Sequence, residues 1–119
     1  MNSMTFMQRF LPPLFFDFLK KLDIDESLDA RDGDPFDSQW MDNFNRLEKN
    51  IFDEKDFEII NKIRECVFKQ SLKVIGSHEI SGRISDDFEI IAKDFALEQI
   101  DHWPVSYLWK SYQNSIFPK

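Results

Sequence analysis

Between Asp53 and Gly76 the apolar residues recur at helical spacing, and this restricts the class of fold open to the chain. Phe57, Ile60, Ile63, Val67 and Val74 mark one face, which Phe68, Leu72 and Ile75 widen. A period near 3.6 residues marks an amphipathic helix. Asp53 is placed to cap it, and Glu54 and Asp56 fall in its first turn, where the helix dipole favours anions. Lys69 and Lys73 lie toward its far end, and Gly76 is a natural stop. Roughly 22 residues rising 1.5 Å each give an element about 33 Å long, the expected central helix of the fold.

The rest of the chain fits around such a helix. Pro12-Pro13 can open a first helix carrying Leu14, Phe15, Phe18, Leu19 and Leu22. Residues 23–38, DIDESLDARDGDPFDS, are poor in apolar residues and punctuated by Gly33 and Pro35; they predict a loop with at most one helical turn. Asp34-Pro35 then opens a second helix with Phe36, Trp40, Phe44 and Leu47 on its inner face. Residues 76–84, GSHEISGRI, predict a connector. Ser85 is placed to cap a fourth helix, with Asp86 and Asp87 in its first turn and Phe88, Ile91, Ala92 and Phe95 facing inward. A break over Asp101–Pro104 precedes a fifth helix carrying Val105, Leu108, Trp109 and Tyr112. Sustained strand alternation is absent and only 3 glycines are present, fewer than sandwiches and barrels use in their turns. These features predict an all-α, single-domain bundle of about five helices over residues 1–119.

Charge narrows the functions. Against 15 Lys and Arg stand 22 Asp and Glu, a net charge of −7. Nucleic-acid binding needs a basic footprint on the phosphates, so no nucleic-acid partner is expected. No apolar run approaches the ~20 residues that span a bilayer, and the N-terminal stretch has no cleavage site of the secretory kind. The expectation is a cytoplasmic monomer without a membrane partner. Cys66 is the single cysteine, so no intramolecular disulfide is available, and it reads as a small, partly buried residue of the long helix.

No catalytic chemistry emerges. The chain contains no GxGxxG, GxxxxGK[ST], GxSxG or HExxH pattern. A calcium loop starting at Asp23 fails, because Leu28 stands where glycine is required and Asp34 stands in place of the bidentate Glu. His78-Glu79 and Asp101-His102 pair imidazole with carboxylate, but two histidines and one cysteine are too few for a zinc site on their own. They read as surface or capping histidines. No cofactor, no metal and no enzymatic activity are expected. Trp40, Trp109 and Tyr112 read as core residues, whereas Tyr107 points off its helix's apolar stripe as a candidate contact.

The strongest functional signal is where the charge sits. From Asp17 to Asp42 there are nine acidic residues and only Lys20, Lys21 and Arg31 as bases, which leaves −6 in that segment. Asp23, Asp25, Glu26, Asp29, Asp32, Asp34 and Asp37 are therefore the candidate partner-binding residues. An acidic surface speeds encounter with a basic protein and rejects wrong partners. A small acidic helical protein without catalytic groups suits an inhibitor of a basic enzyme such as a nuclease. An acidic adaptor or regulator of another soluble protein is the alternative.

Two stretches, HEISGRISDDFEIIAKDFAL and VSYLWKSYQNSIFP, carry a resemblance over residues 78–118. Ser85-Asp86-Asp87 is followed by Phe88 and Ile90-Ile91, and later by Leu108, Trp109, Tyr112 and a terminal Ile116-Phe117-Pro118. In these features the chain resembles bacterial immunity proteins of contact-dependent growth inhibition and related polymorphic toxin systems. Asn114-Ser115 stands where that tail often has a glycine. The resemblance implies a non-enzymatic protein that binds a cognate toxin C-terminal domain, frequently a nuclease, in the cell that makes it. The matching residues are helix caps and packing aromatics, so they imply a scaffold and not toxin contacts.

Overall fold

A computed structural model describes residues 11, 12 and 14–119; Pro13 and residues 1–10, including the N-terminal stretch read for targeting, lie outside the described residues. The first helical element is a short 3-10 turn, Asp17–Lys21, instead of the longer helix expected from Pro12-Pro13. Leu14, expected on the inner face, is 72% exposed, while Phe16 and Leu19 are buried. In a 3-10 turn residues three apart eclipse one another, which places those two side chains together on the core.

The acidic segment is the main departure from expectation. It forms a nine-residue helix, α1 (Ile24–Asp32), where a loop was predicted. Its ends explain it. The Asp23 side chain accepts a hydrogen bond from Glu26 N at 3.1 Å, Asp25 and Glu26 fall in the first turn, and Arg31 falls in the last. Its inner face holds Ser27 and Arg31, both buried, beside half-buried Ile24 and Leu28. An inner face half made of polar residues leaves no apolar stripe to read. Helix α2 (Phe36–Glu48) follows and buries Phe36 and Leu47, with half-buried Trp40 and Phe44 stacked at 5.5 Å.

Helix α3 (Glu54–Ile75) runs the expected 22 residues. Asp53 caps it by accepting from Asp56 N at 2.8 Å, and Gly76 ends it at φ 69°, in the left-handed region that favours glycine. Ile60, Ile63 and Val67 are buried, whereas Phe57 remains 45% exposed.

Helix α4 (His78–Ala96) begins eight residues before the expected start. Ser77 is the cap, its Oγ accepting from Ile80 N at 3.2 Å, so the predicted connector is the first two turns of the helix. Ser85 is instead buried mid-helix, where its Oγ lies 3.3 Å from Arg64 Nε. The Ser71 and Ser81 hydroxyls lie 2.9 Å apart between α3 and α4. These two helices form the principal packed pair, and Ile80, Ile84, Phe88, Ile90 and Ile91 of α4 are fully buried.

The expected fifth helix is split into a π-helical turn, Pro104–Trp109, and α5 (Lys110–Gln113). Leu108 and Tyr112 are buried, and Trp109 lies against Phe15, Phe88 and Phe95. The tail then turns inward, burying Phe117 and Pro118. The chain is all-α, with no strand among the described residues.

Candidate functional site

The acidic surface is built on a buried polar clasp. Arg31, on the inner face of α1, reaches Asp87 in the middle of α4. Its Nη1 donates to Asp87 Oδ2 at 2.8 Å and its Nη2 to Oδ1 at 2.7 Å. Trp40 Nε1 donates to Asp87 Oδ1 at 2.9 Å, and the Tyr112 hydroxyl to Oδ2 at 2.6 Å. Arg31 also donates to the Pro118 carbonyl at 3.2 Å, and its guanidinium lies 4.5 Å from the Phe36 ring centroid and 5.0 Å from that of Phe117. Four elements thus meet at one carboxylate, and the tail joins them through Arg31. Burial works against the Arg31 charge, but Asp87, by charge and hydrogen bond, together with Tyr112, outweighs it and holds the guanidinium above its ordinary pKa. Burial, and then the Asp87 charge, push the Tyr112 phenol well above its ordinary pKa. Sequence alone places Asp87 at a helix N-terminus; here it is the centre of the clasp, and its match with Arg31 spans 56 positions, beyond any local pattern.

Because Arg31 is turned inward, the exposed charged side chains of α1 and the start of α2 are all carboxylates. Asp23, Asp25, Glu26, Asp29, Asp32, Asp34 and Asp37 are all exposed. They do not all do the same thing. Asp23 caps α1. Asp34 Oδ1 accepts from both the backbone N–H and the hydroxyl of Ser38, and these bonds hold its pKa below the ordinary value. Glu26 pairs with the Lys119 ammonium, and Asp32 lies 3.8 Å from Arg83. Among the described residues, Asp25, Asp29 and Asp37 have no cationic side chain within 4.0 Å.

Two recesses flank Phe36 at the corner between α1 and α2. One, of about 210 Å³, lies between this corner and the π turn. Trp103 and Tyr107 stack in its wall at 5.3 Å with their planes 9° apart, and Trp103 meets Phe36 edge-on at 5.4 Å. The other, of about 120 Å³, lies toward α4 and has Asp32, Asp37, Trp40, Met41, Arg83 and Asp86 in its wall. Tyr107 stands out in the sequence because it points off its helix's apolar stripe, whereas no local pattern marks Trp103. Its proximity to Phe36 depends on the π turn, which no apolar period announces.

Among the described residues, no group of three or more His, Cys, Asp or Glu side chains is placed to hold a metal ion. His78 lies in the first turn of α4 beside the Phe68 ring, and His102 is exposed. Cys66 is half-buried on α3, its sulfur 3.3 Å from Gln70 Nε2. No helix among the described residues is long and apolar enough to cross a membrane.

Comparison with protein-family models decides the family: the model of immunity protein PIM1 matches residues 7–119. The chain belongs to the PIM1 immunity protein family. Among the curated proteins, none matches it.

Membership of the PIM1 family brings toxin neutralisation as the general function and a cognate toxin as the partner. The family match extends well beyond residues 78–118, where the sequence resemblance lies, and takes in the acidic helix α1. Of the residues that carry the resemblance, Ser85, Asp87, Phe88, Ile90, Ile91, Leu108, Tyr112, Phe117 and Pro118 are buried, Asp86 and Trp109 are half-buried, and Ile116 is exposed. What remains on the surface to meet a toxin is chemically different from them. Seven exposed carboxylates of that surface lie at the α1–α2 corner.

Proposed function

We propose that the chain neutralises its toxin by laying the acidic α1–α2 corner on a basic surface of the toxin's C-terminal domain, and so blocks the surface or active site that the toxin needs. Asp23, Asp25, Glu26, Asp29, Asp32, Asp34 and Asp37 are the proposed contact surface. The observation that carries this reading is the outward set Asp25, Asp29 and Asp37, three exposed carboxylates without a cationic partner among the described residues. A protein gains nothing for its own stability by gathering like charges, whereas a field of one sign accelerates and selects a partner of the opposite sign. A nuclease is the proposed target class, because nucleases present basic substrate-binding surfaces that such a field complements. The protein acts as a non-catalytic, monomeric inhibitor in the cytoplasm of the toxin-producing cell, within a contact-dependent or related toxin system.

Co-expression with the C-terminal domain of the toxin encoded beside this gene tests the reading. The expected result is a stable complex and protection of the host cell. Absence of both contradicts it.

A further inference from the structure

The 210 Å³ recess between the α1–α2 corner and the π turn has a wall chemistry that the acidic field alone does not explain. Three rings, Phe36, Trp103 and Tyr107, form its apolar side. The carboxylate of Asp34 stands in the same wall, oriented by its two bonds from Ser38 to Oδ1, which leave Oδ2 without a hydrogen bond among the described residues. Among the described residues the one cation in the wall is Lys119, and its ammonium is drawn away to Glu26. Tyr107 is 39% exposed and is fixed by donating its hydroxyl proton to the Lys119 carbonyl at 2.8 Å. Rigid ring faces next to a fixed carboxylate attract a cation, and a planar guanidinium exploits both at once, stacking on a ring while bonding the carboxylate. The Phe36 ring already meets one guanidinium inside the protein, that of Arg31 at 4.5 Å.

We infer that this recess is a socket for a single arginine side chain of the toxin, held between the Trp103–Tyr107 stack and the Asp34 carboxylate. The inference rests on the acidic-corner reading and deepens it: the charged face steers the partner, and the socket fixes its register. Aromatic and arginine anchors in desolvated pockets carry most of the energy at interfaces, while rim charges act mainly on encounter.

Calorimetric titration of the purified toxin domain from the adjoining gene with wild-type protein and three variants tests it. Asp34→Asn keeps an acceptor for Ser38 and removes only the charge. Gln39→Arg, at an exposed position of the recess wall, supplies a competing cation from the protein itself. Tyr107→Leu removes one ring. Thermal melts establish that each variant is folded. Asp34→Asn and Gln39→Arg are each expected to weaken binding by about tenfold or more. In an alanine scan of the toxin's arginines, a single position should lose its effect when paired with Asp34→Asn. If wild type binds and all three variants bind within about twofold of it, the socket is overturned while the acidic-corner reading stands. If only Tyr107→Leu weakens binding, the occupant is apolar and the arginine assignment is overturned. If wild type forms no complex with the toxin domain, both readings fall together.

Discussion

Arg31 and Asp87, 56 positions apart, form a doubly hydrogen-bonded ion pair in which the carboxylate is fully buried and the guanidinium nearly so. The pair fastens the acidic helix α1 to the centre of α4, so the candidate binding surface and the scaffold share one polar joint. Removing one partner strands the other charge in a low dielectric. Asp87→Ala is therefore expected to destabilise the fold by about 3–5 kcal/mol in urea unfolding, whereas the double variant Arg31→Met, Asp87→Leu should recover much of that loss. A single variant as stable as wild type would show that the clasp contributes little to the fold.

The same joint makes a prediction about alkaline pH. Tyr112 donates to Asp87, and its pKa is raised by burial and by the carboxylate charge. A raised folded-state pKa means that its contribution is complete below the unfolded value near 10 and is lost as pH climbs toward the folded value, since the unfolded chain releases that proton first. Stability should fall above about pH 10 by up to ~1.4 kcal/mol per pH unit from this group. Tyr112→Phe, expected to cost about 1.5–3 kcal/mol at neutral pH, should remove that part of the alkaline slope. Denaturant midpoints from pH 8 to 11 for the two proteins measure the difference.

Two glycines should respond in opposite directions. Gly82 lies inside α4, and a Cβ there would meet nothing within 4 Å. Gly82→Ala is expected to stabilise the protein by about 0.4–1 kcal/mol by restricting the unfolded chain and favouring the helix. Gly76 also has open space around it but sits at φ 69°. Gly76→Ala is expected to cost about 1 kcal/mol, because the left-handed conformation penalises a side chain. Thermal unfolding of the pair checks both signs.

What the sequence revealed follows from which forces leave a local pattern. Helix α3 is legible end to end because its cap, its apolar stripe and its terminal glycine all lie within one stretch of chain. Helix α1 is hidden because Arg31 and Ser27 occupy the inner face where apolar residues would have announced it. The first turns of α4 look like a connector because Ser77, Ser81 and Gly82 are small, and Ser81 is buried against α3. The π turn at Pro104–Trp109 follows no standard helical period and so blurs the fifth helix. The acidic residues themselves are plain in the sequence, yet which of them remain unpaired depends on Lys119 and Arg83, both distant in the chain.

Steering of the toxin by the acidic corner is a property of encounter, so it is read from the association rate. Asp25→Lys, Asp29→Lys and Asp37→Lys leave the Asp23 cap, the Glu26–Lys119 pair and the Asp34–Ser38 bonds in place. Stopped-flow mixing of this triple variant with the toxin domain at low salt should show association slowed by about tenfold or more, with the difference shrinking as salt is raised. An association rate equal to wild type at every ionic strength would show that the acidic corner does not steer the toxin.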